Sequence, residues 1–252
     1  MELSAHHSFL AGRIAAFLDR EEIRVPLYLL DKLLPEDARV YIVGGALRDL
    51  VIRECHGSGP ATEDIDLFIG NLADEFDLES RMASGRSLPT ELGGIRWLPE
   101  HTRFAFDLSR LQDFVIFRKY RIEPSLENLL AAVDFTFNAI VYDRTSAALY
   151  ENRCVQSIRQ RLLDFNSTMF YNREITAYRA LLLRFKTGFI LSEAVFDFLK
   201  TNVDVEVLKF VKNLLSARLS RDLAKAVLSD YVRISGFRNY RRYCRGAAET
   251  LQ

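Results

Sequence analysis

The chain has 252 residues, 49% of them apolar and 27% charged, which is ordinary globular usage and excludes a disordered or fibrous protein. Lys plus Arg and Asp plus Glu each number 34, so the formal charge is zero and a uniformly basic nucleic-acid binder is disfavoured, although a local basic patch is not. The length allows one large domain or two small ones. Cys55, Cys154 and Cys244 are widely spaced and follow no zinc or disulfide pattern, which points to a reducing compartment. No apolar run approaches the roughly 18 residues of a membrane span. No basic start with an unbroken apolar stretch marks a signal peptide. The expectation is a soluble, cytoplasmic protein without membrane contact.

Ser8 to Asp19 reads as an amphipathic helix with Phe9, Leu10, Ile14, Phe17 and Leu18 on one side. Pro26 opens a second helix through Leu34, and Pro35 stops it. Arg39 to Val43 is a short β-rich run closed by Gly44-Gly45, with a helix from Ala46 to Arg53. A polar loop leads to Asp64–Ile69, which alternates like a strand. The polar stretch from Asn71 to Gly94 has no clear period. Ile95–Leu98 and Arg103–Leu108 read as paired strands around a turn at Pro99–Thr102. Ser125–Ala132 reads as a helix, and Phe135–Tyr142 is apolar and mixed. From Asn172 the period is helical, with Ile175, Leu182, Phe185 and Phe189 on one stripe and Gly188 near the C-terminal end. Ser192 to Arg233 suggests three further short helices. The order is α/β first and all-α last, with a boundary near Asp164–Thr168.

Two clusters carry chemistry. Gly44-Gly45-Ala46-Leu47-Arg48-Asp49 follows a strand and opens a helix. The glycines let backbone N–H groups approach an anion, the helix start favours phosphate, and Arg48 is placed to hold a phosphate oxygen. Gly-Gly alone reads more often as a plain tight turn between strand and helix. Asp64-Ile65-Asp66 puts two carboxylates on one side of a strand, about 6–7 Å apart at a rise of roughly 3.3 Å per residue. That separation suits one or two Mg²⁺ ions bridging carboxylates to a triphosphate. A lone D-x-D is more often a solvated strand end, but the apolar Ile65, Leu67, Phe68 and Ile69 beside it ask for a partner cation.

Taken in order, VGGALRD and EDIDLF resemble the head domain of class II tRNA nucleotidyltransferases and bacterial poly(A) polymerases, in the polymerase-β-like nucleotidyltransferase superfamily. Leu126-Glu127 and Asp134-Phe135-Thr136-Phe137-Asn138-Ala139-Ile140, continued by Tyr142-Asp143, resemble the family's L-E-x-D-L-x-R-R-D-F-T-I-N-A-L segment. Arg179-Ala180 with Gly188-Phe189 resembles its R-A-x-R-F-A-x-x-L-G-F helix. The resemblance implies an α+β fold: a head of mixed sheet and helices over residues 1–165, then a small all-helical, neck-like region over residues 166–252. It implies two Mg²⁺ ions on Asp64 and Asp66, and an NTP whose phosphates lie near Gly44, Gly45, Arg48 and Asp49. A hydroxyl would attack the α-phosphorus and release pyrophosphate, with positioning and charge neutralisation doing most of the work. Asp107 is the candidate for the family's third carboxylate. Asp134 and Asn138 are expected to fix the backbone around the site.

The departures bear on selectivity. Ala132-Val133 stands where the family has Arg-Arg, and Asn172-Arg173-Glu174-Ile175-Thr176 aligns with its base-reading E-D-x-x-R. The metal and phosphate half is thus kept while the base-selecting half is rewritten, leaving Arg173 and Arg179 as the nearest base-reading candidates. Only about sixty residues follow Phe189, short of the family's whole tRNA-measuring apparatus. Arg233 to Arg245 interleaves five arginines with Phe237, Tyr240 and Tyr243. Arg238, Tyr240, Arg241 and Arg242 fit a single-strand nucleic-acid recipe, and equally a solvated terminal helix or a self-association surface for oligomers. Trp97, Phe135 and Phe137 read as core, His56 as a solvated loop residue, and His6-His7 as surface. The leading expectation is NMP transfer to an RNA 3′ end such as that of tRNA. Transfer to a small-molecule or protein hydroxyl is the alternative, followed by a silent nucleotide- or RNA-binding module.

Overall fold

The computed structural model describes residues 8–82, 85–90 and 93–250; His6 and His7 lie outside them. The first helix, α1 (Ser8–Leu18), buries Leu10, Ile14, Phe17 and Leu18, whereas Phe9 faces solvent. Helix α2 (Glu21–Leu33) starts five residues before Pro26. Glu21 and Glu22 supply acidic charge to its first turn, where the helix dipole favours it, and Pro26 is carried buried inside the helix. Strand β1 (Arg39–Val43) runs into Gly44 and then α3 (Gly45–His56), which Gly57 closes in the left-handed conformation. Strand β2 (Asp64–Gly70) follows.

The polar stretch that lacked a period holds a short helix, α4 (Leu78–Arg81), and strand β3 (Arg86–Pro89). The expected strand pair forms as β4 (Ile95–Leu98) and β5 (Ala105–Arg110), antiparallel with Trp97 opposite Phe106. Helix α5 (Val115–Tyr120) carried no recognisable signal because it has only six residues. Helix α6 (Leu126–Ala132) is capped by Ser125, whose side chain accepts from the Asn128 N–H. Strands β6 (Ile140–Asp143) and β7 (Ala148–Glu151) form a hairpin, followed by the short α7 (Cys154–Arg159). A two-residue strand, β8 (Leu162–Leu163), pairs in parallel with β9 (Ile190–Leu191) across the long helix α8 (Arg173–Thr187).

The main sheet has seven strands in the order β3-β4-β5-β2-β1-β6-β7, with β2 and β5 parallel and the other pairs antiparallel. Its two faces differ. One carries Val40, Ile42, Ile65, Leu67, Ile69, Phe106 and Leu108 into the principal core. The other carries Val43, Val141, Tyr41 and Phe68 against α5 and α6 through Phe117, Leu129 and Leu130. Register aligns one row of residues across this second face: Arg96, Asp107, Asp66, Val43, Val141 and Tyr150. The row is apolar at the β1-β6-β7 end and charged at the β4-β5-β2 end.

The C-terminal region is helical: α9 (Glu193–Asn202), α10 (Val205–Arg218), α11 (Arg221–Gly236) and α12 (Tyr240–Thr250). Ser192, Asp204 and Ser220 cap the first three in turn. The three expected short helices are therefore present, and α12 adds a fourth. On α8 the most deeply buried residues are Ala177, Ala180 and Leu181, with Leu182 and Phe185 half-buried beside them. Small residues there let α10 and α11 approach closely.

The arginine-aromatic segment folds differently from its expected use. Tyr243 is buried, its hydroxyl accepts from the Leu191 N–H at 2.9 Å, and its ring stacks on Phe196. The Tyr240 hydroxyl donates to the Leu191 carbonyl at 3.0 Å. Tyr243 is core, Tyr240 is half-buried beside it, and both hydroxyls anchor α12 to β9. Arg238, Arg241 and Arg242 face solvent. Tyr243→Phe leaves the buried Leu191 N–H without its acceptor, and should cost about 1–3 kcal/mol in urea unfolding.

Candidate functional site

Three carboxylates gather on the second sheet face. Asp64 and Asp66 share that face because they are two residues apart on β2, and Asp107 lies directly opposite Asp66 in the parallel β2-β5 ladder. Asp64 is exposed at the strand start, whereas Asp66 and Asp107 are half-buried. The Asp66 carboxyl is pushed up to about 6, first by burial and then by the negative charge of Asp107. Arg179, Asp64 and Arg48 act on it more weakly, with Asp64 raising it and the two arginines lowering it. Asp107 is also raised, by burial foremost, against the opposing pull of Arg96. The trio is thus a group of like charges, two of which, Asp66 and Asp107, lie in poorly hydrated surroundings.

The Gly-Gly turn lies against this group. Gly44 has φ of 63° and ψ of −122°, a region essentially closed to residues with a Cβ. A Cβ at Gly44 would sit 3.6 Å from Asp66 Oδ2, and one at Gly45 would sit 3.8 Å from the same oxygen. As the N-cap of α3, Gly44 offers no side chain to the first-turn N–H groups, so that turn is left to face an anion. Gly44→Ala should lower stability by about 1–3 kcal/mol through backbone strain, read from the shift of the thermal midpoint.

Arg48 departs from its expected place. It is buried and points inward: Nε donates to Asp49 Oδ1 at 2.8 Å, Nη2 lies 2.7 Å from the same oxygen, and Nη1 donates to Asn138 Oδ1 at 2.8 Å. Its fork is already committed to the protein, and Asp49 serves as its buried counter-ion. Asn138 donates onward to Asp134 Oδ1 at 3.3 Å, and Asp134 pairs with Arg179 on α8. Asp49, Arg48, Asn138, Asp134 and Arg179 therefore form one polar relay from α3 to α8. Burial alone would raise Asp134, but Arg179 outweighs it with help from the Asn138 amide and the Phe135 N–H, and holds this carboxyl below its ordinary range. Asp134 fixes the backbone by accepting from the Phe135 N–H at 2.9 Å, whereas the Asn138 side chain bonds other side chains, those of Arg48 and Asp134.

The expected base-reading segment does other work. Asn172 caps α8 by accepting from the Ile175 N–H at 2.7 Å, and Thr176 is buried with its hydroxyl on the Asn172 carbonyl. Arg173 bonds Glu174 and, at 2.9 Å, Asp204, which ties α8 to the start of α10. Arg179, six residues further along α8, carries the guanidinium whose charge reaches Asp66. His56 Nε2 lies 2.8 Å from the Ile158 carbonyl and its ring packs edge-on to Phe189, a structural role. Trp97, Phe135 and Phe137 are buried as read.

One residue of the group escaped sequence reading. Arg96 on β4 stands opposite Asp107 in the ladder, donates through Nη1 to both Asp107 oxygens at 3.2 and 3.0 Å, and pairs through Nη2 with Asp64. Strand alternation in the expected β4-β5 pair already puts Arg96 on the Asp107 side, and that was the available signal.

Mg²⁺ takes oxygen ligands and rarely relies on a complete protein cage. An all-carboxylate set beside a turn whose missing Cβ atoms leave room at Asp66 Oδ2 fits that chemistry.

No known family profile and no curated protein matches the sequence. Solved structures do. A CCA-adding enzyme in complex with ATP superposes with a TM-score of 0.63 at 17% identity, covering 90% of this chain and 54% of that one. A CCA-adding enzyme of Thermotoga maritima complexed with tRNA gives 0.61 at 16%, covering 89% and 53%. A tRNA-processing enzyme in an apo form gives 0.60 at 21%, covering 85% and 57%. The chain shares the fold of the CCA-adding enzymes. It spans about half the length of each. The CCA-adding fold accounts for the mixed sheet together with the helices that follow it, in agreement with the α+β architecture read from the sequence.

Proposed function

We propose that this protein is a Mg²⁺-dependent nucleotidyltransferase that moves NMP from an NTP to a hydroxyl acceptor and releases pyrophosphate, the acceptor being an RNA 3′ end such as that of tRNA. The carrying observation is the gathering of Asp64, Asp66 and Asp107 on one sheet face against the Gly44-Gly45 turn. Residues 1–165 form the catalytic part in this reading, residues 166–252 the neck-like part, and the protein acts in the cytoplasm. Among the described residues no helix is long and apolar enough to cross a membrane.

Asp64 and Asp66 would hold the metal. Mg²⁺, when bound, neutralises phosphate charge and polarises the phosphorus under attack. The Gly45 N–H and the first turn of α3 receive the phosphates, and Gly44 shapes that turn while its own N–H donates to the Ile140 carbonyl at 3.4 Å. Asp107, raised by burial, accepts the proton of the attacking hydroxyl. Arg179, anchored by Asp134, is left as the α8 guanidinium that faces the nucleotide. The solvent-facing Arg238, Arg241 and Arg242 carry the acceptor's phosphates as point contacts, without base stacking.

The test offers each labelled NTP in turn, with Mg²⁺, to total RNA and to a tRNA ending before its CCA, and sequences the labelled ends. Label on RNA from one or more NTPs supports the reading. With Thr176 buried and Val133 without a donor, the product should differ from ordered C, C, A addition; clean CCA addition would show that other residues select the base. The inward packing of Tyr240 and Tyr243 favours a second acceptor class, a small-molecule or protein hydroxyl. Label that stays off RNA altogether would move the assignment there.

A further inference from the structure

The acidic trio already has a cation. Arg96 is placed by strand register rather than by a chance surface rotamer, since β4 pairs with β5 and puts it opposite Asp107. Its two terminal nitrogens reach the two outer carboxylates, Asp107 and Asp64, and leave Asp66 between them without a guanidinium partner of its own. Asp64 is one of the two acids that would hold a divalent ion, and Arg96 occupies it. Although three carboxylates share the face, among the described residues no three His, Cys, Asp or Glu side chains converge into a metal-holding set. The Arg96 side chain is 38% exposed, so it has solvent to move into.

We propose that Arg96, anchored on Asp107, is a resident counter-cation that competes with divalent metal for Asp64, so that metal binding requires its guanidinium to let go of that carboxylate. The inference rests on the metal-dependent reading above and deepens it. In the metal-free protein Arg96 offsets the repulsion among the acids. On metal entry it is displaced, because a guanidinium and a divalent ion cannot share the same carboxylate lone pairs. The cost of breaking its charge-assisted bonds is then subtracted from metal affinity. Arg96 is thus a positioning residue that sets how tightly metal is held before nucleotide arrives.

The test uses the full chain and Mn²⁺ without nucleotide, with free Mn²⁺ measured by electron paramagnetic resonance. Arg96→Gln should bind Mn²⁺ about tenfold or more tightly than wild type, the size expected from losing a charge-assisted competitor. Its metal-free melting temperature should fall, and Mn²⁺ should raise it by more than in wild type. Arg96→Lys, which replaces the planar fork by a compact ammonium and loses the bidentate hold on Asp107, should also bind more tightly than wild type, and it keeps the test open if the glutamine variant fails to fold. Equal or weaker Mn²⁺ affinity in these variants, with binding still abolished by Asp66→Asn, would overturn the competition and leave the metal reading standing. Mn²⁺ uptake by neither wild type nor variant would overturn the metal reading and the proposal with it.

Discussion

Asp66→Asn should lower nucleotidyl transfer by roughly 10³-fold or more and at the same time stabilise the metal-free protein at neutral pH. The activity loss follows from position. Asp66 is the middle acid of the trio, its oxygen faces the Gly44-Gly45 turn, and no neighbouring side chain can replace it. The stability gain follows from charge. Burial and Asp107 push the folded carboxyl from 3.8 up to about 6, so the folded state holds its proton more firmly than the unfolded chain. Wild-type stability from this group is therefore greatest below about pH 4, declines as pH rises through 6, and stays low above that. Asparagine does not titrate and carries no charge towards Asp107. The difference between variant and wild type should open between pH 4 and 6 and remain constant from there to pH 8, read as thermal midpoints in metal-free buffer. A variant less stable than wild type at pH 7 would mean that Asp66 holds the fold together rather than a ligand.

That trade, stability given up for a charge cluster, was partly legible in the sequence. Two periodicities were enough to place Asp64 and Asp66 on one face and to set Asp107 on a strand nearby, because alternation along a strand is local information. Gly44-Gly45 was legible for the same reason. Arg96 was signalled only by alternation within the expected β4-β5 pair, and the relay through Arg48 was not legible, since it depends on a partner 90 residues away that only the finished fold brings near. An arginine after a glycine turn reads as a phosphate ligand until Asn138 is seen to occupy it. Short elements such as α5 and α7, six residues each, lie below the length at which a period can be counted. Tyr240, Tyr243, Cys244 and Ala247 are a different case. Their i, i+3, i+4, i+7 spacing is an inward stripe, and it outweighs the arginines between them once α12 is treated as an amphipathic helix. Pro26 misled because proline is favoured in the first turn, whereas here Glu21 and Glu22 start the helix ahead of it.

Arg48→Ala should act mainly on folding, at a cost of about 3–5 kcal/mol, because it breaks a buried ion pair and leaves one charge behind. Arg48 and Asp49 are 7% and 2% exposed, so neither can turn to water. Burial already raises the Asp49 carboxyl, and Arg48 is the chief influence pulling it back. Without Arg48 the folded carboxyl rises further above its unfolded value, so the variant loses stability as pH increases through that higher pKa. Its deficit in urea unfolding should be larger at pH 7 than at pH 5. Asn138 also loses the donor at its Oδ1, which loosens the hold on Asp134 and on Arg179 beyond it. The double variant Arg48→Ala/Asp49→Asn should recover part of the loss by removing the stranded charge, a non-additivity expected of direct partners. Phosphate binding by Arg48 makes the opposite forecast: an NTP KM raised several-fold with an unchanged unfolding midpoint. The two readings separate on one pair of measurements, and the commitment of Nε and Nη1 to protein acceptors favours the first.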